Sequence, residues 1–551
     1  MDRNAIQLLM AIGQKNDMPP LSPIYDEVNR KWNATCRVLL GGEVGELDDF
    51  KDWLYDYCGP RRTEKSESSG KPVVSYDGRY SKDAKWISLD EVDFAAKPLA
   101  LDINGTKDID SILQGISEQM VYAGNIHLGN STEVENSTTV MDSHYIYHSE
   151  SVWAGSKYVA YTSHVIGECV FGGNCVSSNF LIRCNTIHAE RCFEVYKGEF
   201  CTGSYFSHGL ASCHDCMFCF NLRSKRNCIG NLQLTKEKYA ELKQKLVGEI
   251  RETLKKEKRL PHLIDLFKAQ PLDYAPMKAV YAKRPAENQP KTDKAVIEKA
   301  FTETCKLVLG VPYSGIDKYA SWLSRNTHKF EEGVSCASGK RLLVSEYADF
   351  TRFPRDRLMG LEEAEFVGER LTLSQEEAGR LTFANAGKAL SRVAYFSAEW
   401  KSGNNANNID CPIEIDCTDC YKSIINLFCK KCAIGWWPRQ SEHMFGFTRT
   451  RASAFCINCF DSDKIQRCFE VSEARSSTGC YYCHDVENCH DCLFCFNAKN
   501  LRYAIGNVEL AREKYMAVKA RILAQLNDEL ARTNSIALSI FNLPGKAKNR
   551  G

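Results

Sequence analysis

The chain lacks a long apolar run. No stretch approaches the ~18 residues a membrane-spanning helix needs, so no membrane partner is expected. It also lacks an excess of either charge. Lys and Arg total 71 against 70 Asp and Glu, a net charge of +1. That removes any bulk electrostatic case for nucleic acid or an anionic bilayer. A zinc-ribbon nucleic-acid reader would need its basic residues gathered on one face. The opening MDRNAIQLLMAIGQKND lacks a basic stretch followed by an apolar core, which predicts no secretory leader. The expected location is therefore cytoplasmic or inside a virion, where cysteines serve as thiols or metal ligands. Catalytic signatures are missing too: no Walker A, dinucleotide fingerprint, HExxH or GxSxG.

What is present in excess is cysteine, with 26 in 551 residues. The length implies roughly three or four domains, and internal repetition organises them. RCFEVYKGEFCTGSYFSHGLASCHDCMFCFN begins at Arg191 and RCFEVSEARSSTGCYYCHDVENCHDCLFCFN at Arg467, 276 residues later. The match runs without a gap through the IGN triplets at Ile229 and Ile505. Upstream, Cys36 pairs with Cys305 and Trp53 with Trp322 at an offset of 269. The halves read as a tandem duplication joined by the polar segment KRPAENQPKTDK, residues 283–294. Late in each half, Tyr239, Leu242, Leu246, Ile250 and Leu254, then Tyr515, Val518, Ile522, Leu526 and Leu530, mark one face of an amphipathic helix.

The cysteines keep a twelve-residue beat. Cys420, Cys432, Cys456, Cys468, Cys480 and Cys492 share one register. Cys459, Cys483 and Cys495 share a second, and Cys417, Cys429 and Cys489 a third, in which Ser441, Ser453 and Ser477 fill beats between. The first half keeps the beat more loosely. Short periods with small residues and aromatics in fixed columns signal a β-solenoid. Each coil is expected to hold two short strands and two tight turns, with Cys, Ser, Ala and Gly inside. The fold class expected is α+β: a tandem duplication, each half a helical segment, a cysteine-rich β-solenoid of about twelve residues per coil, and a capping amphipathic helix. The segments are 1–65 and 66–129 leading into a first solenoid at 130–232, a capping helix at 233–282 and a linker at 283–297. The second copy follows as 298–335, 336–410, a solenoid at 411–508, and a helix with basic tail at 509–551.

Two places exceed what core filling requires. Cys417, Cys420, Cys429 and Cys432 spell CxxC-x8-CxxC, and so do Cys480, Cys483, Cys492 and Cys495. Four thiolates can surround zinc tetrahedrally, so structural zinc is the first reading. Cys213, Cys216, Cys219 and Cys228 are the nearest first-half counterpart. The other readings are a ladder of reduced thiols, disulfides between coils, and an iron–sulfur cluster at Cys489, Cys492 and Cys495, which lack the following Cys-Pro. The CHD triplets at Cys213, Cys483 and Cys489 place His214, His484 and His490 at turns or on the surface. No catalytic residue is expected.

The stretch CHDCMFCFNLRSKRNCIGNLQLTKEKY resembles the closing segment of a loose class of cysteine-rich repeat proteins from uncultured bacteria, archaea and their viruses. The features carrying it are Asn221-Leu222-Arg223, then Cys228-Ile229-Gly230-Asn231 and the helix that follows. The second copy departs from it, with Ala498-Lys499 after Asn497 and Ala504 in place of the cysteine. The resemblance implies a repeat fold and an assembly or viral setting, and brings no activity. The function expected is a non-enzymatic scaffold with a protein partner or self-assembly. The rivals are an iron–sulfur or thiol redox enzyme and a zinc-ribbon nucleic-acid binder.

Overall fold

The computed structural model describes residues 22–56, 62–75, 78–96, 108–286, 291–431, 433–435, 442–448 and 452–544. Cys432, Ser441 and the basic tail after Pro544 lie outside the described residues. The chain contains both helices and strands. Among the described residues no helix is long and apolar enough to cross a membrane.

Two stacks of parallel backbone dominate. In the C-stack, one column of bridged residues runs Ile409, Tyr421, Ala433, Phe445, Ile457, Phe469, Tyr481, Leu493, Ile505, each paired in parallel with the residue twelve later. Within a coil the bridges recur every three residues. Asp463, Gln466, Phe469 and Ser472 pair with Arg475, Thr478, Tyr481 and His484. A coil therefore has four three-residue sides rather than the two strands and two turns expected.

The corner between sides explains the geometry. From Lys464 to Tyr503 every third residue has φ between +46° and +70°. Left-handed backbone is disfavoured for most L-residues and tolerated best by Gly, Asn and Asp. Gly479, Asp485, Asn488, Asp491, Asn497 and Asn500 occupy such corners, but so do Glu470, Tyr482 and Phe494. The residue after each corner points inward. Cys456, Cys459, Ser462, Ile465, Cys468, Val471, Ala474, Ser477, Cys480, Cys483, Val486, Cys489, Cys492 and Cys495 are three apart, and every one is buried.

The N-stack has the same three-residue grammar with a less regular coil. The pairing step is thirteen residues at Lys157–His144, eleven at Leu181–Cys192, and twelve from Phe193–Tyr205 onward. A bulge between Asn185 and Thr186 absorbs one change of step.

Four helices frame the stacks: α1 (Pro23–Leu40), α2 (Lys236–Glu257), α3 (Ala295–Leu309) and α4 (Arg512–Thr533). Ser22 caps α1 by accepting from Tyr25 N–H, and Gly41 closes it in the left-handed region. α1 lies along the wall of the N-stack. Its Tyr25 meets Tyr147, Trp32 meets Phe171, and Leu39 O accepts from the Tyr205 hydroxyl at 2.9 Å.

The apolar faces of α2 and α4 are buried as the periodicity implies. These helices also run along the wall, and this corrects the end-cap expectation. Lys243 on α2 bridges Asp215 at 3.0 Å and sits 4.9 Å from the Tyr205 ring, spanning more than one coil. Farther along, Arg251 donates to Leu40 O and Gly41 O at the end of α1. The last coil is closed by a hairpin instead. Leu232–Gln233 pairs antiparallel with Arg226–Ile229, and Val508–Glu509 with Arg502–Ile505.

The IGN triplets make those hairpins. Gly230 and Asn231 have φ of 54° and 64°, and Gly506 and Asn507 have 53° and 64°. Two consecutive positive φ values are what a type I′ turn requires. The Asn231 amide then pairs with both backbone groups of Phe220, at 2.7 and 3.0 Å, as a strand would. Asn507 does the same to Phe496, at 3.0 and 2.7 Å.

Candidate functional site

The thiol-lined interiors were the candidate, so their chemistry decides. The interior of each stack is its own apolar cluster, separate from the outer packing. Of the residues expected to ligate metal, Cys213, Cys216, Cys219 and Cys228 lie inside the N-stack. Cys417, Cys420, Cys429, Cys480, Cys483, Cys489, Cys492 and Cys495 lie inside the C-stack, and all twelve are buried to 0% exposure. Every described cysteine is a free thiol.

Most of these thiols have a use in the backbone. Cys468 Sγ donates to Gln466 O at 3.2 Å, Cys483 to Tyr481 O at 3.3 Å, Cys219 to Met217 O at 3.3 Å, and Cys417 to Ile415 O at 3.1 Å. In these the acceptor is two residues back, across the left-handed corner, and several thiols also reach a carbonyl nine residues ahead, as Cys213 Sγ does to Leu222 O at 3.3 Å and Cys480 Sγ to Cys489 O at 3.6 Å. Inward serines make the same bond: Ser477 donates to Arg475 O at 2.8 Å and Ser207 to Tyr205 O at 2.8 Å. These side chains also accept from the coil above. Ser477 Oγ accepts Cys489 N–H at 3.1 Å, Ser207 Oγ accepts Cys219 N–H at 3.0 Å, and Cys483 Sγ accepts Cys495 N–H at 3.4 Å. A buried N–H needs an acceptor, and a short S–H or O–H relays one coil to the next. This is a reason for Cys and Ser to share columns that requires no metal.

The thiols also touch one another. Cys480 is hydrogen-bonded to Cys468, Cys483 and Cys492, and Cys216 to Cys213, Cys219 and Cys228; these contacts push the Cys480 and Cys216 thiols up. Burial raises Cys192 to about 12 and Cys495 well above its ordinary range, whereas hydrogen bonds to neighbouring thiols lower Cys213 and Cys228 and, against burial, lower Cys468 and hold Cys483 at about 7. Neutral thiols are weak nucleophiles and weak ligands. Among the described residues no group of three or more His, Cys, Asp or Glu side chains is arranged to hold a metal ion.

The CHD histidines separate. His214 is exposed and His490 half-buried, but His484 is fully buried, which corrects the surface expectation for it. Its Nε2 accepts Ala123 N–H at 2.9 Å, and burial holds its pKa down at about 3. Sequence reasoning missed this and its counterpart His208, whose Nε2 accepts Ser397 N–H at 3.1 Å. It also missed Glu194 and Glu470, buried acids inside the quoted RCFEV repeats. Glu194 accepts Leu263 N–H at 2.9 Å and pairs with Arg183 at 2.9 Å, and Glu470 accepts Ile540 N–H at 3.0 Å. The repetition of RCFEV in both halves was the available signal.

Among the described residues, open clefts flank the stacks. One, of about 470 Å³, is lined by His127, Gly129, Asp142, Arg475, Glu487 and Lys499 among others. The second, of about 410 Å³, is lined by Glu199, Arg223, Lys401 and Gly403 among others. Neither is lined by a cysteine. Comparison of the chain with family models, curated proteins and solved structures finds no match.

Proposed function

We propose that the protein is a non-enzymatic scaffold: a tandem duplication of two β-solenoids whose interiors are filled and cross-bonded by reduced thiols and hydroxyls. It would present two similar surfaces to a protein partner or a larger assembly, in a cytoplasm or a virion. One observation carries this reading. The interior thiols are sealed from solvent and engaged with backbone groups, and the two clefts contain none of them. A thiol enzyme needs a low-pKa sulfur that substrate can reach.

A second reading keeps structural zinc at Cys417, Cys420 and Cys429, with Cys432 completing the spacing. It is favoured by hydrogen bonds that tie the Cys417 thiol to Cys420 and Cys429 and lower its pKa to about 4. Elemental analysis of protein prepared anaerobically without chelators separates the two, since a closed site holds about one zinc ion.

Cys483→Ser tests the scaffold reading in the other CxxC pair. A serine keeps both the donor to Tyr481 O and the acceptor for Cys495 N–H, so denaturant unfolding should shift by less than ~1 kcal/mol. A loss of several kcal/mol, accompanied by metal release, would overturn the thiol-ladder reading, because metal-binding energy is folding energy. Thiol titration of the native protein should leave the interior cysteines unreacted until denaturant is added.

A further inference from the structure

Two segments leave their own half and pack on the other. Residues 62–125, the N-arm, precede the N-stack in sequence. Yet Val73, Tyr80, Trp86, Ile112 and Tyr122 share a core with Phe469, Tyr482 and Phe496 of the C-stack. Residues 330–399, the C-arm, do the reverse: Phe353, Val367 and Phe396 share a core with Phe206, Phe218 and Phe220 of the N-stack.

The docking is the same on both sides. His484 Nε2 accepts Ala123 N–H at 2.9 Å, and His208 Nε2 accepts Ser397 N–H at 3.1 Å. Asn497 Nδ2 donates to Val121 O at 2.8 Å, and Asn221 Nδ2 donates to Tyr395 O at 2.8 Å. Tyr122 meets Phe496 edge-to-face at 5.6 Å, and Phe396 meets Phe220 at 5.8 Å. On the stacks, His208 and His484, Asn221 and Asn497, and Phe220 and Phe496 are each 276 residues apart. On the arms, Val121 and Tyr395, Tyr122 and Phe396, and Ala123 and Ser397 are each 274 apart.

We infer that each groove is a strand-docking site whose partner is the arm of another copy of the half-chain, so that the protein is a reciprocally exchanged dimer of half-chains joined by residues 283–294. The recognition is directed at backbone. An imidazole takes an N–H and an amide takes a C=O, so the groove reads an extended strand carrying one aromatic side chain. Tyr122 and Phe396 both satisfy that demand. These contacts require neither thiol nor metal chemistry. Neither half is complete alone, because each would expose an apolar groove and an unattached arm.

The test uses the full chain with a protease site placed at residues 287–290. After cleavage the two halves should run as one particle of the intact mass at ~1 μM, as an interface of standard size or larger holds, and melt within a few degrees of uncleaved protein. Separation into two folded particles would overturn the inference. Thiols still protected in those separated particles would leave the scaffold reading intact. A second variant asks whether the grooves are equivalent. Tyr395→Val, Phe396→Tyr, Ser397→Ala and Ala398→Gly give the C-arm the N-arm's sequence. The cleaved variant should still run as one particle, and its dissociation would show that the grooves are not interchangeable. The reverse exchange is avoided because a Cβ at Gly124 would lie 2.8 Å from Val74 O.

Discussion

The N-stack and the C-stack share one backbone grammar and fill it differently. The early N-stack interior is Val140, Ile146, Val152, Val159, Val165 and Val170, and thiols enter only from Cys175 onward. The C-stack interior is dominated by thiols, with Ala, Val and Ile between. The pairing step is twelve at Val140–Val152, thirteen at Lys157–His144, eleven at Leu181–Cys192 beside Cys184, and twelve again where the thiols crowd together at Cys213, Cys216, Cys219 and Cys228. Valine supplies only volume and dispersion, which survive a shifted register. A thiol or serine also links its own corner to an N–H one coil above, and it does so across steps of eleven, twelve and thirteen residues, as Ser178 Oγ accepts from Ala189, Ser137 Oγ from Ser149 and Ser149 Oγ from Thr162. The difference teaches that one backbone grammar accepts either filling, and that small hydrogen-bonding side chains tie its coils together whatever the local step.

The largest effect should come from breaking the step. One residue inserted between Gly479 and Cys480 would turn every later inward side chain outward, because side-chain direction follows register. We expect no folded C-stack by circular dichroism. The same insertion between Asn185 and Thr186, where a bulge already exists, should leave a cooperative melt.

Next comes the wall helix. Tyr515 is fully buried and packs 5.7 Å from Tyr503, while Tyr239 is 3% exposed. Tyr515→Ala should cost ~3–5 kcal/mol by the usual large-to-small scale, and Tyr239→Ala somewhat less. Denaturant midpoints check the order, and equal losses would show that Tyr503 contributes nothing.

A pH series compares the two grooves. Burial depresses both His208 and His484 below the ordinary 6.5. Each stays neutral when folded and takes a proton on unfolding once the pH is below 6.5. The stability present above that pH is therefore lost as pH falls, by ~1.4 kcal/mol per unit for each histidine. Buried Glu194 and Glu470, whose pKa values burial raises, bind protons in the folded state first and oppose part of the loss. His484→Gln keeps an acceptor for Ala123 and should flatten the fall in stability between pH 6.5 and 5. An unchanged slope would mean that the other histidines depressed by burial, His208, His262 and His127, carry the effect.

The smallest effect separates a corner pair. Lys197 is buried with its amine unpaired, and burial lowers its pKa to about 8. Its counterpart 276 residues on is Glu473, half-buried at the same kind of corner. Lys197→Met should stabilise by ~1 kcal/mol in denaturant unfolding, as an unsatisfied buried group is removed. Glu473→Met should stay within ~0.5 kcal/mol.

The sequence by itself determined the twelve-residue spacing, the matching of the halves, and the buried faces of α2 and α4. These are local or periodic properties, and every one of the ten face positions read from the spacing is buried. The three-residue side stayed hidden because its inward column mixes Cys, Ser, Val, Ala and Ile, and its corners accept Glu, Tyr and Phe as well as Asn and Gly. No composition marks a column that only excludes water and closes small rings. The destination of the arms was decided by tertiary structure alone. Ala123 meets His484 361 residues away, and Ser397 meets His208 189 away. Both contacts use a backbone N–H, which every residue but proline carries. Tertiary structure likewise settled whether a histidine in a CHD triplet faces water or the other half. His214 and His484 have the same neighbours in sequence, and only the strand laid across His484 buries it.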